Sequence, residues 1–105
     1  MKERRNAKRS GVEILLNKYV DGFPYTCRAL DISTQGVLLR RIHEPSLRRE
    51  AYSLEIGVPG APAPIWVWSR PVWTRGARQA LRFVGLTQQD RTVLEHYVQA
   101  LRRAA

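Results

Sequence analysis

Two short segments carry residue types that can do chemistry together. Near the N-terminus, Arg5-Asn-Ala-Lys-Arg9 sets two arginines four residues apart, with Arg4 directly in front of them. An arginine presents a planar fork of donors that matches a phosphate bidentately. The same fork fits guanine O6 and N7, and its plane can stack on a base. Further along, Asp31-Ile-Ser33-Thr-Gln-Gly36 forms a DxSxxG run. A carboxylate only accepts, so Asp31 suits the guanine edge, which offers a ring N–H beside an exocyclic amine. Ser33 can donate its hydroxyl or help to form a turn. Gly36 lets the backbone bend, or approach a ligand, where a Cβ would obstruct.

Taken alone, neither segment is distinctive. A run such as ERRNAKR is commonly a solvated basic tail, and Asp, Ser and Gly are ordinary turn residues. The specificity lies in the combination: both runs, in this order, on one small β-rich chain.

The elements that must position them can be read from the pattern. Residues 1–11 are polar and basic, have nothing to bury, and read as an exposed, mobile arm ended by Ser10-Gly11. Residues 12–20 (VEILLNKYV) read as a strand, Asp21-Gly22 as a turn, and 25–32 (YTCRALDI) as the returning strand of a hairpin. After a break at 33–36, residues 37–42 make another strand. Tyr52, Leu54, Ile56 and Val58 alternate with Ser53, Glu55 and Gly57 at a period of two. The PGAPAP stretch at 59–64 can only be a loop. Residues 65–73 and 80–86 are two more β runs, with Pro71 marking an edge or a break. The period then changes. Thr87-Gln-Gln-Asp90 matches a helix start, and Val93, Leu94, Tyr97, Val98 and Leu101 follow at helical spacing. Arg102 and Arg103 lie near the end, where the helix dipole favours cations. The expectation is a mainly β single domain over 12–105, its short strands forming a barrel or sandwich, with one helix over about 87–103.

Composition bounds the function. The 105 residues suffice for one globular domain. Eighteen Lys and Arg against nine Asp and Glu give a formal charge of +9, so the surface attracts anions. Cys27 is the only cysteine, which excludes an intramolecular disulfide and fits a reducing compartment. No apolar run is long enough to span a membrane, and the charged N-terminus does not read as a signal peptide. A cytoplasmic location is the expectation. His43 and His96 are isolated, so a metal site is not expected. Nothing resembles a phosphate loop, a nucleophile elbow or a catalytic carboxylate pair, so the chain does not read as an enzyme. Trp66 and Trp68 share one strand face opposite Ile65 and Val67. Core packing is expected for most of the three tryptophans, although an exposed pair would offer a partner surface. Cys27 is expected to be half-buried.

RxxxR followed by DxSxxG resembles the PilZ domain, and the likeness runs over nearly the whole chain. It includes Ser53-Leu-Glu-Ile-Gly57, the strand around Trp73, Leu81-Arg-Phe-Val-Gly85 and the closing helix. The resemblance implies a six-stranded Greek-key antiparallel barrel with a terminal helix. It also implies a receptor for cyclic di-GMP that orders its basic arm on the ligand, signals through protein contacts and needs no other cofactor. On that likeness Arg5 and Arg9 would grip phosphate and guanine, Asp31 and Ser33 would read guanine, and Gly36 would shape the turn. A basic residue at the place of Arg4 goes, in related proteins, with an intercalated ligand dimer, and Trp73 lies where some relatives place an aromatic near the ligand. The implied outputs are motility, surface polysaccharide or development, through an unidentified protein partner. Two alternatives stay open: a basic nucleic-acid-binding barrel, suited to the +9 charge, and a protein-interaction domain that has the fold without the ligand. Nonspecific nucleic-acid binding is also compatible with the receptor reading.

Overall fold

A computed structural model describes residues 14–45 and 47–104. The arm and its Arg4, Arg5 and Arg9 therefore lie outside the described residues. Six strands, β1 (Ile14–Val20), β2 (Phe23–Ile32), β3 (Gly36–Arg41), β4 (Tyr52–Ile56), β5 (Ile65–Arg75) and β6 (Arg78–Val84), precede one helix, α1 (Gln88–Ala104). All neighbours pair antiparallel, and the sheet closes in the order β1-β2-β3-β6-β5-β4. β4 returns to lie beside β1, which gives the spatial order of a Greek key. The expected barrel with one terminal helix is the observed one.

Each strand follows from its residues. On β1 the inward positions Ile14, Leu16 and Val20 are buried, while Leu15, between two of them, is exposed. Asp21 and Gly22 take φ angles of 53° and 85°, the left-handed pair that a two-residue hairpin turn requires. β2 starts two residues earlier than its sequence pattern indicated and pairs Pro24 with Tyr19. β5 runs on to Arg75 through Pro71. Both prolines lie where their strand has a neighbour on one side only, which is where a residue without an N–H is tolerated. At α1, the Thr87 hydroxyl accepts from the Asp90 N–H at 3.1 Å, the expected cap. The helix buries Leu94 fully, and Val93, Tyr97, Val98 and Leu101 pack against the same core.

Two readings need correction. Trp66 and Trp68 are 53% and 60% exposed, because Ile65 and Val67 take the inward positions of β5. Trp73 is intermediate, so none of the three tryptophans is a core residue. Cys27 is fully buried, since its inward position lies in mid-barrel between β1 and β3. Lys18 lies in the expected strand, and its surroundings were not foreseen. It occupies an inward position, is 0% exposed, and donates to Glu44 Oε2 at 2.7 Å and Gln79 Oε1 at 2.6 Å. Its ammonium also lies 4.2 Å from the centre of the Tyr52 ring.

Candidate functional site

Asp31, Ser33 and Gly36 come together where β2 turns into β3. The Ser33 N–H donates to the Gly36 carbonyl at 3.0 Å, and the Gln35 N–H donates to Ser33 Oγ at 3.1 Å. Ser33 thus closes the turn as an acceptor, which leaves its hydroxyl proton to donate elsewhere. The Phe83 N–H donates to the Gln35 carbonyl at 2.8 Å and ties the turn to β6. Gly36 has no left-handed φ. A Cβ there would instead run into the Leu81 carbonyl oxygen, so glycine is needed for the close approach of β3 and β6. Asp31, Ser33, Gln35 and Gly36, with Leu38, Ala80 and Arg82, line a shallow cleft of about 260 Å³.

Two β-bulges decide which way the site residues point. In β2, Cys27 and Ala29 face inward, so simple alternation would turn Asp31 inward as well. The register shifts between Ala29 and Asp31, with Leu30 as the extra residue, and Asp31 then pairs with Leu38 on the outer face. β5 repeats the device. Ile65, Val67 and Ser69 face inward, the register shifts between Pro71 and Trp73, and Trp73 pairs with Ala80 outside. A bulge adds one residue to one strand and re-aims the side chains beyond it.

The pairings give a row across four adjacent strands: Asp31, Leu38, Ala80 and Trp73. Paired residues share a face, and strands lie about 4.8 Å apart, so Asp31 and Trp73 stand about 14 Å from each other. On one side of this row, Arg82 pairs with both Gly36 and Arg70, adding two outward cations. On the other side runs a ladder of four, Arg28, Arg40, Arg78 and Arg75. The Arg75 guanidinium lies 5.1 Å from the Trp73 ring centre, within cation–π range. The face is thus an apolar strip with an acceptor at one end, an aromatic at the other and arginines along both sides.

Of the residues singled out from the sequence, this face unites Asp31, Ser33 and Gly36 and carries Trp73 three strands away. Arg70, Arg82 and the arginine ladder were missed. Their signal was present in the alternation Arg78, Ala80, Arg82 on β6, with Leu81 and Phe83 facing inward. Among the described residues no group of three or more His, Cys, Asp and Glu could hold a metal ion, and no helix is long and apolar enough to cross a membrane.

No curated protein matches the chain. Among solved structures it is similar to the PilZ domain with c-di-GMP of YcgR from Escherichia coli, at a TM-score of 0.63 and 16% identity. That alignment covers 88% of this chain and 83% of the other, and at this identity it shows the fold. The family model described as PilZ domain matches residues 3–100, a span that includes both the RxxxR and the DxSxxG runs. The chain belongs to the PilZ domain family.

Proposed function

We propose that the outer face of β2, β3, β6 and β5 binds cyclic di-GMP and that the protein is a bacterial, cytoplasmic receptor for it. The observation that carries this reading is the outward turn of Asp31 at a β-bulge, onto one face with Ser33, Gly36 and Trp73. Asp31 accepts from the guanine edge, and Ser33 donates its remaining proton. The Leu38 and Ala80 strip offers apolar surface for a base, and Trp73 a ring on which the second base stacks. The row is long enough for a dinucleotide lying flat. Support also comes from the structural neighbour, a PilZ domain with c-di-GMP.

The phosphates fall to the arm in this reading. β1 begins at Ile14, which pairs with Ala29, two residues from Asp31. Arg9 precedes Ile14 by five residues, a reach of up to about 17 Å. Arg5 and Arg9 can therefore close over the face from the Asp31 side, and Arg4 can meet a second, intercalated ligand molecule. Three arginines supply about 5–9 kcal/mol at 1.5–3 kcal/mol per charged hydrogen bond. Ordering six arm residues costs about 6–12 kcal/mol at 1–2 kcal/mol each. The two are of similar size, so the arm orders only when base stacking and Asp31 add a surplus. That makes the arm a ligand-dependent switch of moderate affinity, read by a partner protein. Trp66 and Trp68 are exposed aromatic surface for such a partner.

Isothermal titration with cyclic di-GMP tests this, with GTP and cyclic di-AMP as controls. Selective, saturable binding is expected, with one or two ligands per chain, lost in Arg9→Ala and in Asp31→Ala. Wild-type binding by either variant would overturn the assignment. Absence of binding would favour the ligand-free interaction domain.

The ladder Arg28, Arg40, Arg78 and Arg75 favours a second reading, nucleic-acid binding, because four like charges on adjacent strands repel without a polyanion. Such binding would fall steeply with salt and ignore Asp31→Ala.

A further inference from the structure

β1, β4 and β5 turn another face outward, on the side of the barrel away from Asp31. Two rows of paired residues cross it: Asn17, Glu55 and Trp66, then Tyr19, Ser53 and Trp68. Paired residues share a face. Trp68 and Trp73 are five residues apart on β5, about 16 Å, so this face does not use the aromatic of the Asp31 row.

The two exposed indoles have company. The Tyr19 ring lies 5.5 Å from that of Trp66, tilted by 42°. Beside them the Glu55 carboxylate is held in place. Its Oε1 accepts from Asn17 Nδ2 at 3.0 Å and from the Tyr19 hydroxyl at 3.4 Å, and Asn17 Oδ1 accepts from the Thr26 hydroxyl at 3.3 Å. Glu55 Oε2 has no hydrogen bond and no paired cation among the described residues. A glutamate on an open strand face ordinarily loses rotamer freedom when it binds. Here one oxygen is already anchored and the other is left to accept.

A cleft of about 490 Å³ runs over Tyr19, Trp66 and Trp68, with Glu50, Ser53 and the Asp21–Arg49 ion pair also in its wall. Glu55 lines the adjoining groove with Asn17 and Thr26, so an occupant laid over Trp66 meets both. Glu50, Glu55 and Asp21 against Arg49 leave an excess of two negative charges. Arg70, one outward step beyond Trp68, reduces it to one. The chain as a whole carries +9, so this face opposes the charge of the rest. That disfavours nucleic acid and anionic lipid here and favours a cationic occupant.

We infer that this face docks an extended, arginine-bearing segment of a partner protein. A guanidinium stacks flat on the Trp66 indole and donates to Glu55 Oε2. Trp66 and Trp68 stand about 7 Å apart, the repeat of alternate residues in an extended chain, so a second arginine two residues on covers Trp68. These strands lie in a closed barrel with no free edge for backbone pairing, so side chains carry the recognition. The inference rests on the reading of Trp66 and Trp68 as a partner surface and names what the partner presents.

The test follows the three indole N–H resonances of the full chain, without cyclic di-GMP, as acetyl-Arg-Gly-Arg-amide is added. The matching Lys-Gly-Lys and Glu-Gly-Glu peptides are compared. Saturable shifts of Trp66 and Trp68 are expected with Trp73 unmoved, the arginine peptide binding more tightly than the lysine one and the glutamate one not at all. Glu55→Gln keeps an acceptor for Asn17 and Tyr19, so it should fold as the wild type does, which its melting curve checks. It is expected to bind about tenfold more weakly. Trp66→Ala, at a position 53% exposed, is the second variant and should lose binding. Undiminished binding by either variant, or equal binding of the arginine and glutamate peptides, would overturn the inference but leave a partner surface. No shift with any peptide would overturn both. Shifts of Trp66 and Trp68 on dilution without peptide would give the face to a second copy. Shifts in the double variant Arg5→Ala, Arg9→Ala would give it to the chain's own arm, and either result overturns the inference.

Discussion

At Gly36 the neighbouring strand, not the backbone angle, demands glycine. The carbonyl of Leu81 occupies the place of a Cβ, and a carbonyl in a closed ladder cannot swing aside as a side-chain tip can. Gly36→Ala should therefore push β3 from β6 and lower stability by about 1–3 kcal/mol in urea unfolding. Cys27 makes a different point. Burial first, and then the nearby Glu44 carboxylate, push its thiol up to about 12. In the unfolded chain a thiol ionises near 8.5. Between about 9 and 12 the unfolded state therefore holds fewer protons than the folded one, and stability falls as pH rises. The contribution is complete below about 8.5 and is lost through 12. Urea midpoints measured from pH 8 to 11 should decline more steeply for the wild type than for Cys27→Ala. At pH 8 the native thiol should resist alkylation, becoming reactive on unfolding. A sequence shows the type of both residues, but the reason for each lies in atoms of distant strands.

Among the elements, α1 was the most legible, because its cap, its period and its terminal charges agree. The Thr87 cap belongs to this scale. Thr87→Ala removes the acceptor for the Asp90 N–H and should cost about 1 kcal/mol, visible as a lower thermal midpoint with the barrel intact. Strand existence was equally legible from the period of two, and the Asp21-Gly22 turn from its residue types. Strand direction at the site was not. Alternation counted from Cys27 and Ala29 turns Asp31 inward, and alternation counted from Ile65, Val67 and Ser69 does the same to Trp73. Each bulge reverses that outcome; Pro71 signals a break in β5 without saying which way Trp73 turns, and nothing in Ala29-Leu30-Asp31 announces the other.

For the whole molecule, the barrel interior holds an ion pair as well as an apolar core. Lys18 and Glu44, 0% and 3% exposed, come from β1 and the β3–β4 connection, and Gln79 of β6 joins them. Removing one member leaves the other charge buried, which costs about 3–5 kcal/mol. Lys18→Met should therefore be strongly destabilised in chemical unfolding, and the double variant Lys18→Met, Glu44→Leu should recover most of the loss. Equal stability of the single and double variants would show that the pair is not coupled. The pattern contained a trace of this arrangement, since Lys18 falls in phase with Ile14, Leu16 and Val20. Its partners could not be named, because Glu44 and Gln79 reach it only when the barrel closes.

The amino-acid sequence by itself determined the elements, a mainly β fold of barrel or sandwich type with a closing helix, the basic surface and the identity of the DxSxxG turn. These depend on side-chain period, turn chemistry and composition, which are local properties. The tertiary structure alone decided that Asp31 and Trp73 face outward in one row, that two sets of arginines flank it, and that Lys18 is neutralised inside. Those facts arise from register across strands far apart in the chain, where one bulged residue reverses a face and closure brings distant charges together.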